Sequence, residues 1–133
     1  MEQVRRSYVP EDEAFFYREE SLGKLCQAQK DLLYLIERGY PMKNASVFTG
    51  NHYLLSERQR LALVRATSSR QAAALRRNRE VIGPVPGKEV HIDGFNIIIT
   101  LEIALSGSTL LKCMDGTIRD LAGLRGTYRT LWI

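Results

Sequence analysis

Glu89-Val90-His91-Ile92-Asp93-Gly94-Phe95-Asn96 runs without a spacer into Ile97-Ile98-Ile99-Thr100-Leu101-Glu102-Ile103-Ala104-Leu105. A short apolar run, Val90 to Ile92, meets a carboxylate, a glycine and an asparagine, and a long apolar segment follows at once. This order predicts a buried strand over Glu89 to Ile92, a sharp turn at its carboxyl end, and a helix over Asn96 to Leu105 that packs back on the sheet. Ser106-Gly107 ends that helix, and Thr109 to Met114 reads as a second strand. Parallel strands joined by a helix form a right-handed βαβ crossover, so Asp115-Gly116 would sit on the same rim as Asp93. In such sheets the crevice beyond the strand ends is where ligands bind.

Upstream, Gly83-Pro84-Val85-Pro86-Gly87 cannot continue a helix and reads as a stiff connector. The expected organisation is therefore a helical module over residues 1–82, a linker over 83–88, and an α/β unit over 89–133. The expected class is α+β/α/β, a helical region followed by a partial parallel βαβ unit. In the helical module, Leu22, Leu25, Gln29, Leu32, Leu33 and Ile36 mark one inward stripe of a helix that Ser21 opens. Gly39 suits its left-handed cap, and Pro41 stops it. A shorter helix is expected near Lys43 to Phe48. Ser56 and Gln59 form a capping-box pair for the next helix, and Arg70 to Arg79 forms a further helical piece. Pro10, Glu11-Asp12-Glu13 and Phe15-Phe16-Tyr17 read as a loosely held arm whose aromatics pack on another surface.

The net charge of +4 is unevenly spread. Residues 1–37 carry eight acids against five bases, residues 38–88 carry ten bases against two acids, and residues 89–133 carry five acids against four bases. A basic middle of this kind favours a polyanionic partner. If residues 58–79 formed one straight helix, Arg58, Arg65 and Arg76 would fall in a strip about 20° wide; with Arg77 they are the nucleic-acid-binding candidates. Arginine forks along such a strip suit a phosphate backbone, RNA above all. The competing reading is a solvated helix face whose arginine stems lie over apolar neighbours. The arginine run carries no interleaved aromatic residue, so base stacking is not expected there.

The apolar fraction of 44% is ordinary for a globular chain. Ile97 to Leu105 is roughly half the length a membrane span needs and contains Glu102. Met1-Glu2-Gln3-Val4-Arg5-Arg6 has no apolar core after its charges, so no secretory signal is expected. Cys26 and Cys113 are too far apart for metal-type spacing and read as small buried side chains in a reducing cytoplasm. His52 and His91 are too scattered for a zinc site.

The acids that could carry chemistry are Asp93, Glu102, Asp115 and Asp120, with Asn96 as an orienting or ligating amide. Each has a structural reading as well. Asp93-Gly94 is a common turn pair, and Asn96 suits a helix cap. Glu102 stands about two and a half turns beyond Asp93, and Asp120 has Arg119 beside it.

Hydrophobic strand, Asp93-Gly94-Phe95-Asn96, hydrophobic helix: this order resembles the opening of the PIN/NYN-like nuclease superfamily. The resemblance implies an acid cluster that binds Mg2+ or Mn2+ and cuts RNA, with Asp93 and Asp115 catalytic. Asp93, Asn96, Glu102, Asp115 and Asp120 would be the metal set. The wider run, through Thr100-Leu101-Glu102, Leu105-Ser106-Gly107 and Asp115-Gly116 to Arg119-Asp120, resembles an uncharacterised prokaryotic, mostly archaeal, family known only as a domain of unknown function. Arg38-Gly39-Tyr40-Pro41 and Leu54 to Arg60 resemble the helical region that accompanies it. A complete PIN/NYN-like sheet needs two to three times the residues found after Glu89, and the pattern stops after Gly126-Thr127-Tyr128-Arg129. An unfinished parallel sheet exposes an edge and apolar faces, so the partners expected are RNA and a second copy of the chain. The alternative function is a non-catalytic RNA-, ribosome- or protein-binding module that self-associates through its α/β unit.

Overall fold

A computed structural model describes residues 5–123 of the chain. A single π-type turn, Glu13–Tyr17, precedes α1 (Glu19–Glu37), α2 (Met42–His52), α3 (Glu57–Ala66), α4 (Arg70–Asn78) and α5 (Gly94–Leu105). A hairpin of β1 (Leu110–Lys112) and β2 (Ile118–Asp120) follows. The fold is mostly helical, with a small two-stranded antiparallel sheet.

The helical half forms largely where its stripes and caps direct. The exceptions are that α1 begins at Glu19 behind Arg18 and not at Ser21, whose hydroxyl donates to the Ala14 carbonyl, and that Leu22 of the expected stripe is exposed. α1 buries Ala28 and Leu32 against Ala45, Leu55 and Leu63 from the next elements. It ends where Gly39 takes φ +91°, Tyr40 N–H reaches back to the Leu35 carbonyl, and Pro41 follows. Ser56 Oγ accepts from Gln59 N–H at 3.2 Å, and Gln59 Oε1 accepts from Ser56 N–H at 3.0 Å, closing the capping box of α3. Gly50 lets α3 approach α2: a Cβ there would stand 2.7 Å from the Arg60 guanidinium, which crosses α2 to reach Asn51 Oδ1.

α3 and α4 are separate helices. Thr67 is extended, its hydroxyl donates to the Leu63 carbonyl at 2.6 Å, and Ser69 starts α4 by accepting from Ala72 N–H. The break leaves the Ala66 carbonyl available to Met114 N–H at 3.0 Å, which pins the hairpin to the end of α3. α3 and α4 therefore do not form the one straight helix on which Arg58, Arg65 and Arg76 would align.

The amino-terminal arm packs on its own chain. Phe16 is buried with Ala62 and Leu121, and the Gln59 amide donates to the Phe15 carbonyl. Arg5 donates to the carbonyls of Ser106 and Gly107, and Ser108 Oγ donates to the Arg6 carbonyl. The arm thus straps the end of α5 to the helical half.

The parallel βαβ unit is not what the described residues form. β1 and β2 pair antiparallel in the register Leu110↔Asp120, Leu111↔Arg119, Lys112↔Ile118. Glu89 to Ile92 is exposed and joins no ladder among the described residues. Turn chemistry is the physical reason. Gly116 takes φ +85°, and Asp115 Oδ1 accepts from both the Thr117 amide and hydroxyl, so the chain reverses at once and cannot cross over. Asp115-Gly116 closes a hairpin and does not end a parallel strand. Cys113 is buried as expected, but Cys26 is exposed. Gly126-Thr127-Tyr128-Arg129, where the family pattern stops, lies outside the described residues.

Candidate functional site: a two-arginine cleft beside Asp93

The last turn of α3, the first turns of α5 and strand β2 enclose a cleft of about 380 Å3. α3 contributes Arg65, α5 contributes Asn96, Ile99 and Thr100, and the hairpin contributes Thr117 to Asp120 and Ala122. These α5 residues face inward because Ile99 and Ile103, one turn apart, bury that side of the helix. Arg65 is fixed by two backbone acceptors, donating to the Asp120 carbonyl at 2.7 Å and the Ala122 carbonyl at 2.8 Å. Asp120 is held too: Oδ2 accepts from Thr100 Oγ1 at 2.8 Å and Oδ1 from Ala122 N–H at 2.9 Å.

Asp93 adjoins this cleft. It precedes α5 without capping a backbone N–H, and its Oδ2 accepts from Asn96 Nδ2 at 2.6 Å. Asp93 is exposed, while Asn96 turns its amide between the acid and the cleft. Arg65, Asn96 and Asp120 are thus brought together, with Asp93 one hydrogen bond away.

The other expected site residues lie elsewhere. The Asp115 side chain is fully buried. Its Oδ1 is taken by Thr117, and its Oδ2 accepts from Arg76 Nη1 at 2.8 Å and Arg119 Nη2 at 3.1 Å. Burial alone would push this carboxyl upward. The Thr117 bonds and the two guanidiniums outweigh burial and hold it well below the usual carboxylate range. Asp115 is an anchor, not a rim acid. Glu102 pairs with Arg6 at 2.6 Å, on the side of α5 turned to the amino-terminal arm. Arg58 forks onto both oxygens of Asp12, at 2.5 and 2.8 Å, and donates to the Ser7 carbonyl. Arg76 is spent on Asp115 and Ser68, though its side chain stays about half exposed. Arg77 is exposed on α4. The stems and forks of Arg58, Arg65 and Arg76 therefore hold the fold, each tying α3 or α4 to a different distant segment.

The oxygens expected to hold Mg2+ or Mn2+ are largely engaged by the protein itself among the described residues. Such ions take about six oxygens, several of them carboxylate. Asp115 and Glu102 are committed to arginines, both Asp120 oxygens already accept hydrogen bonds, and Asp93 alone remains accessible. No three His, Cys, Asp or Glu side chains gather among the described residues.

Two features escaped the sequence. Arg119 enters the cleft because Asp115 and the Thr117 hydroxyl hold it, at 3.1 and 3.2 Å. Its four-residue spacing from Asp115 was the available signal. Asp12 anchors a buried network with Arg58 and Thr109, and Tyr17 OH lies 3.1 Å from Thr109 Oγ1. Nothing in the charged run Glu11-Asp12-Glu13 distinguishes the acid that turns inward. No described helix is long and apolar enough to cross a membrane.

Comparison with known proteins follows the same division of the chain. Residues 24–79 match a family described as a protein of unknown function (DUF434), and residues 83–131 match a domain of unknown function (DUF5616). The chain is 36% identical over 104 residues to an uncharacterised protein of Methanocaldococcus jannaschii, covering 77% of this chain and 50% of that protein. It thus spans about half the length of the curated relative it matches. No solved structure matches it. The helical half and the half carrying Asp93 are each similar to a family of unknown function, and one archaeal protein resembles most of the chain.

Proposed function

We propose that this protein is a nucleic-acid-associated module that holds the phosphate backbone of RNA in the cleft between α3, α5 and β2. Its kinship to PIN/NYN-like ribonucleases rests on Asp93-Gly94-Phe95-Asn96 and is one of descent. The observation that carries the reading is the pair of guanidiniums, Arg65 and Arg119, on one cleft with Asn96 and Thr100. Each guanidinium has five N–H donors and spends two on the fold, so donors remain on a fixed group for phosphate oxygens. An amide and a hydroxyl suit sugar or phosphate. α4 extends the basic surface: Arg70, Arg77 and Arg79 are exposed, and Arg76 is half exposed.

The test is a titration of single-stranded RNA in chelator at several salt concentrations. Wild type should bind with a steep inverse dependence on salt. Arg119→Gln should weaken binding by about tenfold and reduce the salt slope by about one. A chain that ignores RNA in chelator, yet cleaves it with Mn2+ in a manner lost in Asp93→Asn, would replace this reading with the nuclease one.

A further inference from the structure

The two edges of the hairpin meet different surroundings. β2 borders the arginine cleft. Beside β1 lies a groove of about 280 Å3, lined by four consecutive residues, Thr109 to Lys112, and by no residue of β2. A pocket on the face of a sheet meets alternate residues of both strands, so this lining marks the strand edge. The opposite wall is α1, through Leu22, Leu25 and Cys26, with Leu63 from α3. Backbone geometry sets what that edge offers. Cys113 N–H donates to the Thr117 carbonyl at 2.9 Å, and the register runs on through Lys112↔Ile118 and Leu111↔Arg119. Hydrogen-bonded pairs alternate along an antiparallel ladder. Leu111 therefore pairs with β2, while Leu110 and Lys112 aim their N–H and C=O groups away from it, along the groove. No backbone bond meets them on that side among the described residues. Apolar side chains stand beside these open groups: Leu22, from the otherwise inward stripe of α1, is 51% exposed, and Leu110 is 36% exposed.

We infer that the groove takes an extended peptide, which adds a third strand to the hairpin along β1 and carries an acidic residue toward Lys112. Donors and acceptors on one line, two residues apart, match the repeat of another strand and not a small molecule. The apolar walls suit alternate side chains of that strand. Lys112 is the one charged residue lining the groove, so charge complementarity selects an acidic peptide. β1 is three residues long and gives few main-chain bonds, so the side-chain contacts of the groove must add to them. A short edge of this kind pairs poorly with another bare edge, which favours a peptide that also fills the groove. The cleft proposed for RNA lies on the β2 side of the hairpin, so the inference stands or falls separately from RNA binding.

The experiment titrates the isotope-labelled full chain with a set of end-blocked octapeptides of alternating valine and threonine, each carrying one aspartate at a different position. Binding should slow hydrogen exchange at the Leu110 and Lys112 amides by at least about tenfold, while Leu111, already bonded to β2, changes little. N-methylation of one alternate set of peptide amides should abolish binding, and methylation of the other set should leave it intact. Replacing the aspartate by lysine should weaken binding by about fivefold, and Lys112→Glu should reverse that preference. Alkylation of Cys26 by iodoacetamide should slow when the peptide is bound. A set in which no peptide binds at millimolar concentration overturns the inference. So does a peptide that binds with either set of amides methylated, or one that leaves exchange at Leu110 and Lys112 unchanged. Those two results would place a side chain or a small molecule in the groove, without strand pairing.

Discussion

Arg76 Nη1 lies 2.8 Å from Asp115 Oδ2, joining α4 to the hairpin turn across 39 residues of sequence. The same oxygen accepts from Arg119, so one buried carboxylate orders two guanidiniums and the turn that carries it. Removing that acid takes away the charged acceptor of both arginines, leaving Arg76 with Ser68 and Arg119 with Thr117, and frees the turn. Because both arginines are partly exposed and can regain water, the loss is set below the 3–5 kcal/mol typical of fully buried pairs, at about 2 kcal/mol. Asp115→Ala should therefore lower the urea midpoint clearly, with the slope of the transition unchanged.

The same carboxylate makes stability depend on acid. Its folded-state pKa lies below the unfolded value, near 3.9 for an aspartate. Its contribution is therefore present above that value and is lost as pH falls through the lower, folded pKa. Unfolding free energy should decline below about pH 4 in the wild type. Asp115→Asn should flatten that part of the profile, and an identical slope in the two proteins would contradict the assignment.

The two thiols differ in access. Cys26 is exposed, whereas Cys113 is buried; burial pushes its thiol upward, against the pull of the Arg119 charge. Native protein should therefore lose one thiol to iodoacetamide at least about tenfold faster than the other. Peptide mapping should place the fast one at Cys26, and denaturant should equalise the two.

Ser56 and Gln59 each satisfy a backbone donor at the start of α3, the helix that carries Arg58 and Arg65. Ser56→Ala should cost about 1 kcal/mol of unfolding free energy. Gln59→Ala should cost more, because its amide also holds the Phe15 carbonyl. Chemical denaturation of the two variants checks the order.

Much of the helical half could be read directly from the residues. The α1 stripe, the Gly39–Pro41 stop and the Ser56–Gln59 box are local signals, and local signals survive tertiary context. The hairpin was misread because Asp-Gly serves two geometries, the end of a parallel strand and a tight reversal. Choosing between them needs the Thr117 bonds to Asp115, which neighbour spacing does not reveal. The arginine strip depended on a condition that the chain does not meet. Three arginines sit on a common helical strip only if Thr67-Ser68-Ser69 lets the helix continue, and there the side chains cap and break it. Asp93, Asn96 and Asp120 read as metal ligands and Arg65 as a phosphate contact; the sequence does not show that Arg65, Asn96 and Asp120 share one cleft. Arg119 was missed as a cleft residue because its placement depends on a buried acid four positions earlier, not on its own neighbours.

The cleft is tested most directly by mapping backbone and side-chain amide shifts while single-stranded RNA is titrated into labelled protein in chelator. The account predicts that the Asn96 side-chain amide and the amides of Thr117, Arg119 and Ala122 move first, with α4 following, and that Arg119→Gln suppresses these shifts. Shifts confined to the α1–α2 surface, or RNA binding unchanged in Arg119→Gln, would contradict it.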